Sequence, residues 1–310
     1  MMPSSRKFVF DYQVKVLPRV GALDIWLPVP RTDAYQRVMS TDISSPVQLA
    51  PAEDPVHGNH ILHGMMPSSS EEQTISMRYE IERFLRCDPS LNPTSHVERL
   101  SEADLASFLA PDSHVPVDGP VVEEAVQKIS TSAPPRERAR QIFENLLATL
   151  DYDSAGCTPE RADQLGNLVV ACDMKRGTCT EFHGLFVAHA RALKLPARFA
   201  FGFNIPRKAE GYIAGYHCWA EVFLPDIGWF PVDVSEAWKR QDPEERSFYF
   251  GNLDPNRVQF TTGRDVSLVP LQRTGPVDKF IFPHAEGPDG KEDVGLKFHF
   301  VDRAPLPAEQ

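Results

Sequence analysis

Hydrophobic and polar residues alternate through the first quarter of the chain, which is the pattern of half-buried strands. Alternation runs from Phe8 to Val16, from Ala22 to Leu27 and from Thr74 to Ile81, and turn-forming Pro and Ser residues separate the runs. The pattern predicts a small antiparallel, sandwich-like β domain over residues 1–90.

The period of the pattern changes in the middle of the chain. Apolar residues recur at helical spacing over 121–129 and 136–150, and a third helix is expected from about Thr178 to Leu193, ahead of Pro196. Alternation then returns over 198–203, 217–224, 229–234, 266–269 and 297–301. We therefore expect the α+β class, with helices packed on an antiparallel sheet over residues 120–310. The Pro- and Ser-rich stretch 91–119, with at most a short helix near 102–109, is interpreted as a connector.

Composition limits the partners. Lys plus Arg total 32 against 43 Asp plus Glu, a net charge of -11 that would repel phosphate backbones and anionic lipids. No apolar run resembles a signal peptide or a membrane span. Five cysteines, an odd number without a secretory leader, argue against a disulfide framework. We expect a soluble, cytoplasmic protein that binds neither nucleic acid nor membrane; the oligomeric state stays open.

The segment Thr178-Cys179-Thr180-Glu181 has the form of a helix capping box. With Thr178 as N-cap, Cys179 becomes the first helical residue, where exposed N–H groups and the helix dipole lower the pKa of a thiol. Gly177, just upstream, would let a substrate or a strand approach the backbone closely. A buried cysteine can also be a small apolar filler, and the local sequence does not decide between the two.

A thiolate needs a base and a group that orients the base. The run 217–224 alternates, residues 225–228 form a turn, and the chain returns through 229–233. Pairing Phe223 with Trp229 makes His217 a diagonal neighbour of Asp233 on one face, within reach of a hydrogen bond. A slip of one residue would separate them, and an isolated strand histidine is often structural.

Other residues of the chain have alternative interpretations. Cys172, Cys179, His183, His217 and Cys218 could form a zinc site, although His217 and Cys218 point to opposite faces of a strand. His57, His60 and His63 lie in a segment interpreted as a solvated loop, and His189 is interpreted as a hydrogen-bonded core histidine. Trp219 and Trp229 either pack around the site or form the wall of a substrate groove. Residues 242–246 are interpreted as an exposed charged face.

Three motifs resemble the core of the transglutaminase-like superfamily, in the right order over about Tyr152 to Ser235. They are Gly177-Thr178-Cys179-Thr180-Glu181-Phe182, His217-Cys218-Trp219-Ala220-Glu221-Val222 and Gly228-Trp229-Phe230-Pro231-Val232-Asp233. The β-rich start and the tail at 263–268 further resemble bacterial members with an N-terminal β domain. Cys218, where such proteins often carry alanine, and Val234-Ser235, where proline and threonine are common, depart from the pattern.

The resemblance implies a papain-like core in which Cys179 is the nucleophile, His217 the base and Asp233 the orienting carboxylate. It implies an acyl-enzyme mechanism on amide bonds of peptide, protein or small glutamine-like substrates, by hydrolysis or by transfer to an amine, with no metal and no organic cofactor. Gly177 and Trp219 are the candidate substrate-binding residues. The superfamily also contains inactive binding modules, so a silent scaffold is the alternative.

Overall fold

The structure is a computed structural model that describes residues 4–88, 99–153 and 168–303. The strands of these residues are β1 Ser5–Val16, β2 Leu23–Val29, β3 Gln36–Ser44, β4 Ala50–Glu53, β5 His60–Met66, β6 Gln73–Phe84, β7 Asp151–Tyr152, β8 Arg176–Gly177, β9 Ala197–Asn204, β10 Glu210–Ile213, β11 His217–Leu224, β12 Gly228–Val232, β13 Arg257–Thr262, β14 His284–Gly287, β15 Gly290–Lys291 and β16 Gly295–Asp302. The helices are α1 Glu102–Ser107, α2 Pro120–Gln127, α3 Pro135–Thr149, α4 Leu168–Met174, α5 Cys179–Ala192, α6 Val234–Trp238 and α7 Pro243–Phe248. The α+β class expected from the sequence is confirmed.

The chain divides into two compact units whose boundaries differ from the predicted ones. Unit 1 comprises Met1–Leu85, Phe201–Tyr216 and Asp254–Gln310, and unit 2 comprises Arg86–Ala200 and His217–Leu253. The sequence pattern predicts that all of 120–310 belongs to the core and that 91–119 is a connector. Of that connector, 91–98 lie outside the described residues, and α1 lies in the rest. The difference arises because unit 1 is completed by strands that are distant in sequence.

Unit 1 contains two five-stranded sheets, ordered β10-β16-β1-β6-β3 and β15-β14-β2-β5-β4. The strand β1 lies between β6 and β16, both antiparallel to it, and Phe8 pairs with Asp302 in that ladder. Side chains on the buried face of β1 join an aromatic cluster whose members are Phe10, Tyr12, Phe203, Phe260 and Phe298. The C-terminal strand is therefore part of the N-terminal β unit and not of the predicted core.

Two interpretations of unit 1 were wrong. His60 and His63 lie in strand β5, not in a loop, and the Nε2 atom of His63 is 3.2 Å from Oδ1 of Asp24 on the neighbouring strand. Residues 266–269 were expected to form a strand, yet the structure has only an isolated bridge between Val266 and Val277. The side-chain oxygen of Gln272 accepts a hydrogen bond from the N–H of Leu268, so the β-ladder does not continue past the bridge.

Unit 2 is organised around helix α5, which is buried on every side. All residues from Cys179 to Arg191 are buried. The elements α2, α3, α4, α6 and β11 all contact this helix. Its polar side chains therefore need partners inside the protein, since burying an unpaired polar group is costly.

His189 illustrates this requirement and confirms the interpretation as a bonded core histidine. Its Nε2 atom lies 3.0 Å from the carbonyl oxygen of Val121, which can only accept a hydrogen bond, so Nε2 carries the proton. Burial lowers the pKa of His189 to about 4, although the bond to the Val121 carbonyl opposes the shift. The folded protein thus keeps this imidazole neutral.

None of the described helices is long and apolar enough to cross a bilayer.

We expect His189 to make stability fall in mild acid. Because its pKa is about 4 in the folded protein and near 6.5 when unfolded, the unfolded chain binds the extra proton first. The unfolding free energy should therefore decrease by up to about 3 kcal/mol as pH drops from about 6.5 to about 4. Urea unfolding at several pH values gives the unfolding free energy as a function of pH. This free energy should depend less steeply on pH in His189→Gln than in the wild-type protein. Equal slopes in the two proteins would contradict the assignment.

Candidate active site

Cys179 begins helix α5, as the capping box predicted. The Thr178 hydroxyl oxygen accepts the N–H of Thr180 at 3.3 Å, and Oε2 of Glu181 accepts both the N–H (2.7 Å) and the hydroxyl (2.6 Å) of Thr178. The cap fixes the direction in which the chain enters the helix. It also places the thiol-bearing residue in the first turn, where N–H groups and the dipole favour an anion.

The hairpin of β11 and β12 has the predicted register. Phe223 pairs with Trp229, and the ladder ends one residue before Asp233. Nε2 of His217 lies 2.8 Å from Oδ2 of Asp233, so the hydrogen bond that the register allowed is present. Asp233 is not a strand residue, however; it is the N-cap of α6.

The capping position fixes the Asp233 carboxylate. Its Oδ1 atom accepts the N–H of Glu236 at 3.0 Å and the hydroxyl of Ser235 at 3.2 Å. With Oδ1 held by the helix, Oδ2 is presented to His217. Helix α6 thus orients the Asp233 carboxylate, which in turn orients the His217 imidazole.

Cys179, His217 and Asp233 come from different elements of unit 2, and all three are buried. Their exposed fractions are 1%, 4% and 0%. Helix α5 packs against β11, and His183 connects the two: it lies 2.7 Å from the Cys179 carbonyl oxygen, and its ring centroid is 6.3 Å from that of His217. The thiol residue and the imidazole therefore lie in one part of the unit.

A cation and an aromatic ring lie beside these residues. Nζ of Lys239 is 2.7 Å from Glu236 and 4.4 Å from the ring centre of Tyr152. Burial lowers the pKa of Lys239, but Glu236, and to a smaller degree Asp233 and Cys179, outweigh it, so the pKa is raised overall. Lys239 therefore stays charged and favours negative charge nearby, including a thiolate.

A buried ion cluster holds strand β11 in place. Glu221 accepts hydrogen bonds from Arg86 and, at 2.8 Å, from Arg198. Burial would raise the pKa of Glu221, but Arg198 and Arg86 lower it to about 2. Arg198 also lies 3.9 Å over the ring of Trp229. These contacts secure the hairpin that carries His217.

The candidate site lies in a segment that matches a known protein family. The family model of the transglutaminase-like superfamily matches residues 123–234, a range that contains Cys179, His217 and Asp233. This segment is a transglutaminase-like core.

Two known proteins are similar to this chain beyond the transglutaminase-like core. An uncharacterized protein of Haemophilus influenzae is 25% identical over 303 aligned positions, covering 86% of this chain and 81% of its own. The crystal structure of a proposed cysteine protease from Cytophaga hutchinsonii is 13% identical, with a TM-score of 0.64 over 98% of this chain and 93% of its own. The second likeness concerns the fold, and it extends over both units.

The two candidate substrate-binding residues have structural contacts. Trp219 is fully buried and packs with Ala200 and Leu253. A Cβ atom at Gly177 would lie 2.5 Å from Cβ of Glu181, so the glycine makes room for the capping box of the transglutaminase-like core. Packing accounts for both residues, and a role in substrate binding stays a prediction.

The zinc alternative finds no support among the described residues. No group of three or more His, Cys, Asp and Glu side chains there is arranged to hold a metal ion. Both ring nitrogens of His183 contact backbone groups, at Cys179 and Val234. Cys87 and Cys172, like Cys179 and Cys218, form no disulfide, and Cys157 lies outside the described residues.

Tyr152 and Lys239 are neighbours of the site that no sequence pattern indicated. Lys239 follows α6, a helix of five residues that is too short to show an apolar period. Tyr152 lies in β7, whose two residues pair with β8. Neither position had a local pattern that could have revealed it.

We expect Gly177→Ala to destabilise the transglutaminase-like core. The new methyl group would meet the Glu181 side chain and disturb the capping box, lowering the unfolding free energy by about 1 to 3 kcal/mol. Urea unfolding of both proteins measures this change. A variant with unchanged stability and weakened substrate binding would instead favour the direct substrate role of Gly177.

Proposed function

We propose that the protein is a cysteine-dependent acyl-transfer enzyme that acts on amide bonds through a thioester. The hydrogen bond from His217 to the fixed carboxylate of Asp233 carries the proposal, since a carboxylate of this kind orients an imidazole and stabilises its charged form, as a general base requires. The position of Cys179 in a transglutaminase-like core supports it further.

The proposed chemistry starts with proton transfer from the thiol to the imidazole. Nε2 of His217 bonds Asp233, so Nδ1 is the nitrogen that receives the Cys179 proton. The thiolate attacks the amide carbon, and the carbonyl oxygen becomes an oxyanion. His217 returns the proton to the departing amine, the C–N bond breaks, and a thioester remains.

The second half of the reaction resolves the thioester. Water or an acceptor amine loses a proton to His217 while its oxygen or nitrogen attacks the thioester carbon, and the sulfur leaves and recovers the proton. The backbone N–H of Cys179, in the first turn of α5, is the proposed oxyanion donor. Such a donor contributes about 2.7 to 4 kcal/mol when well placed. Peptides, proteins and small glutamine-like amides are the proposed substrates.

One observation favours a second candidate, a silent binding or scaffold module. Cys179 is only 1% exposed, and a substrate has to reach the sulfur for acyl transfer. Reactivity of the thiol in solution therefore separates the two functions.

We expect Cys179 to react with iodoacetamide as an activated thiol. The labelling rate against pH should have a midpoint below about 8.5, the value of an ordinary cysteine. Intact-mass spectrometry with peptide mapping measures the rate for each thiol, and buried Cys218 of the adjacent strand is the internal control. Slow labelling of Cys179 with an ordinary midpoint would support the silent module.

We expect Asp233→Asn to separate catalysis from folding. Asparagine caps helices as well as aspartate does, so α6 should persist. The amide no longer stabilises the charged imidazole, so the rate of acyl-enzyme formation should fall on the order of 10⁴-fold. Formation of a Cys179 adduct from glutaminyl peptides, followed by mass spectrometry, gives this rate, and Cys179→Ala should give no adduct. A variant that keeps the full rate would refute the role of Asp233.

A further inference from the structure

His183 is a second histidine at the site, one helical turn after Cys179. It lies on α5 and is fully buried. Its Nδ1 atom is 2.7 Å from the carbonyl oxygen of Cys179, and its Nε2 atom is 3.0 Å from the backbone nitrogen of Val234, the first residue of α6. The reaction proposed above assigns no step to it.

These two contacts determine where the proton on the ring lies. A carbonyl oxygen only accepts a hydrogen bond, so Nδ1 must donate to Cys179. A backbone N–H only donates, so Nε2 must offer its lone pair to Val234. Both bonds can form together only in the neutral imidazole with the proton on Nδ1.

The neutral form matters because of the carboxylate beside it. Oδ1 of Asp233 lies 3.5 Å from Nε2 of His183, and its Oδ2 bonds His217. A proton on Nε2 of His183 would displace the Val234 N–H and draw the carboxylate toward a competing imidazole. When Nε2 of His183 is unprotonated, the negative charge of Asp233 remains available to stabilise the imidazole of His217.

The other groups around the ring are consistent with this state. From β11, the Sγ atom of Cys218 is 3.8 Å from Nδ1, and the His217 ring meets the His183 ring edge-on. Among the described residues, the titratable side chains that the structure places beside His183 are Asp233, His217 and Cys218.

His189 shows the contacts expected of a histidine that has only a packing role. That residue shares the helix, is also buried, and bonds one backbone carbonyl at a distance from the site. His183 differs because it joins two chain segments that carry site residues, the first turn of α5 and the start of α6.

We infer that His183 is a positioning residue: a neutral imidazole with its proton on Nδ1 ties the Cys179 carbonyl to the Val234 N–H, and so holds the nucleophile's helix against the helix that fixes Asp233. The inference rests on the proposed function, which it extends by one residue.

The tautomer can be measured in the wild-type protein without any activity. Long-range 1H–15N correlation spectra of the imidazole rings distinguish protonated from unprotonated nitrogens, and His183→Gln identifies the signals. At pH 7 the spectra should show a protonated Nδ1 and a bare Nε2. A protonated Nε2, in either a neutral or a charged ring, would overturn the inference.

The positioning role is tested with paired variants at His183 and at His189 as the matched control. His183→Gln keeps an acceptor within reach of Val234, whereas His183→Leu keeps neither bond. Relative to wild type, His183→Leu should slow Cys179 alkylation about a hundredfold and move its pH midpoint upward, as expected for a displacement of about 1 Å. His183→Gln should recover part of the loss. His189→Gln and His189→Leu should change thermal stability but not the midpoint.

The outcomes separate the two proposals. If wild-type Cys179 behaves as an ordinary thiol, both the proposed function and the positioning role fail. If the wild-type thiol is activated and His183→Leu has the same midpoint and rate, or if the His189 pair moves the midpoint equally, only the inference about His183 fails.

Discussion

Helix α5 is buried on all sides, and this burial governs the rest of unit 2. A helix in contact with solvent can leave polar side chains in water, but here each one needs a partner within the protein. Glu181 bonds the cap, His183 bonds two backbone groups, and Arg191 donates to the carbonyl oxygen of Ala197. These hydrogen bonds satisfy the buried polar groups and also connect α5 to the segments around it.

The same constraint brings the reactive groups together. The cap sets the first residue of α5, the ion cluster of Glu221 holds β11, and the N-cap of α6 holds Asp233. Each residue of the proposed triad therefore lies on an element that is itself held in place. Such preorganisation is what acyl transfer requires, because donors that are already aligned need no rearrangement during the reaction. The burial that achieves it also restricts access to the sulfur.

Local sequence was sufficient for the parts of the fold that depend on local rules. The capping box located Cys179, and the turn at 225–228 set the register that brings His217 to Asp233. The division into units could not be predicted in this way, because pairing of β1 with β16 joins segments from opposite ends of the chain. The link through His183 was also out of reach, since α6 is too short for a periodic pattern.

The interleaved order of the two units affects how the chain can fold as it leaves the ribosome. Strand β1 emerges early, but its neighbour β16 is synthesised only after all of unit 2. In the meantime one edge of β1 has no partner from β16, and a nascent edge of this kind is prone to pair with other chains. Unit 2, whose last segment ends at Leu253, is complete before that edge is covered. Chaperone binding during synthesis would therefore protect the β sheet more than the helical core.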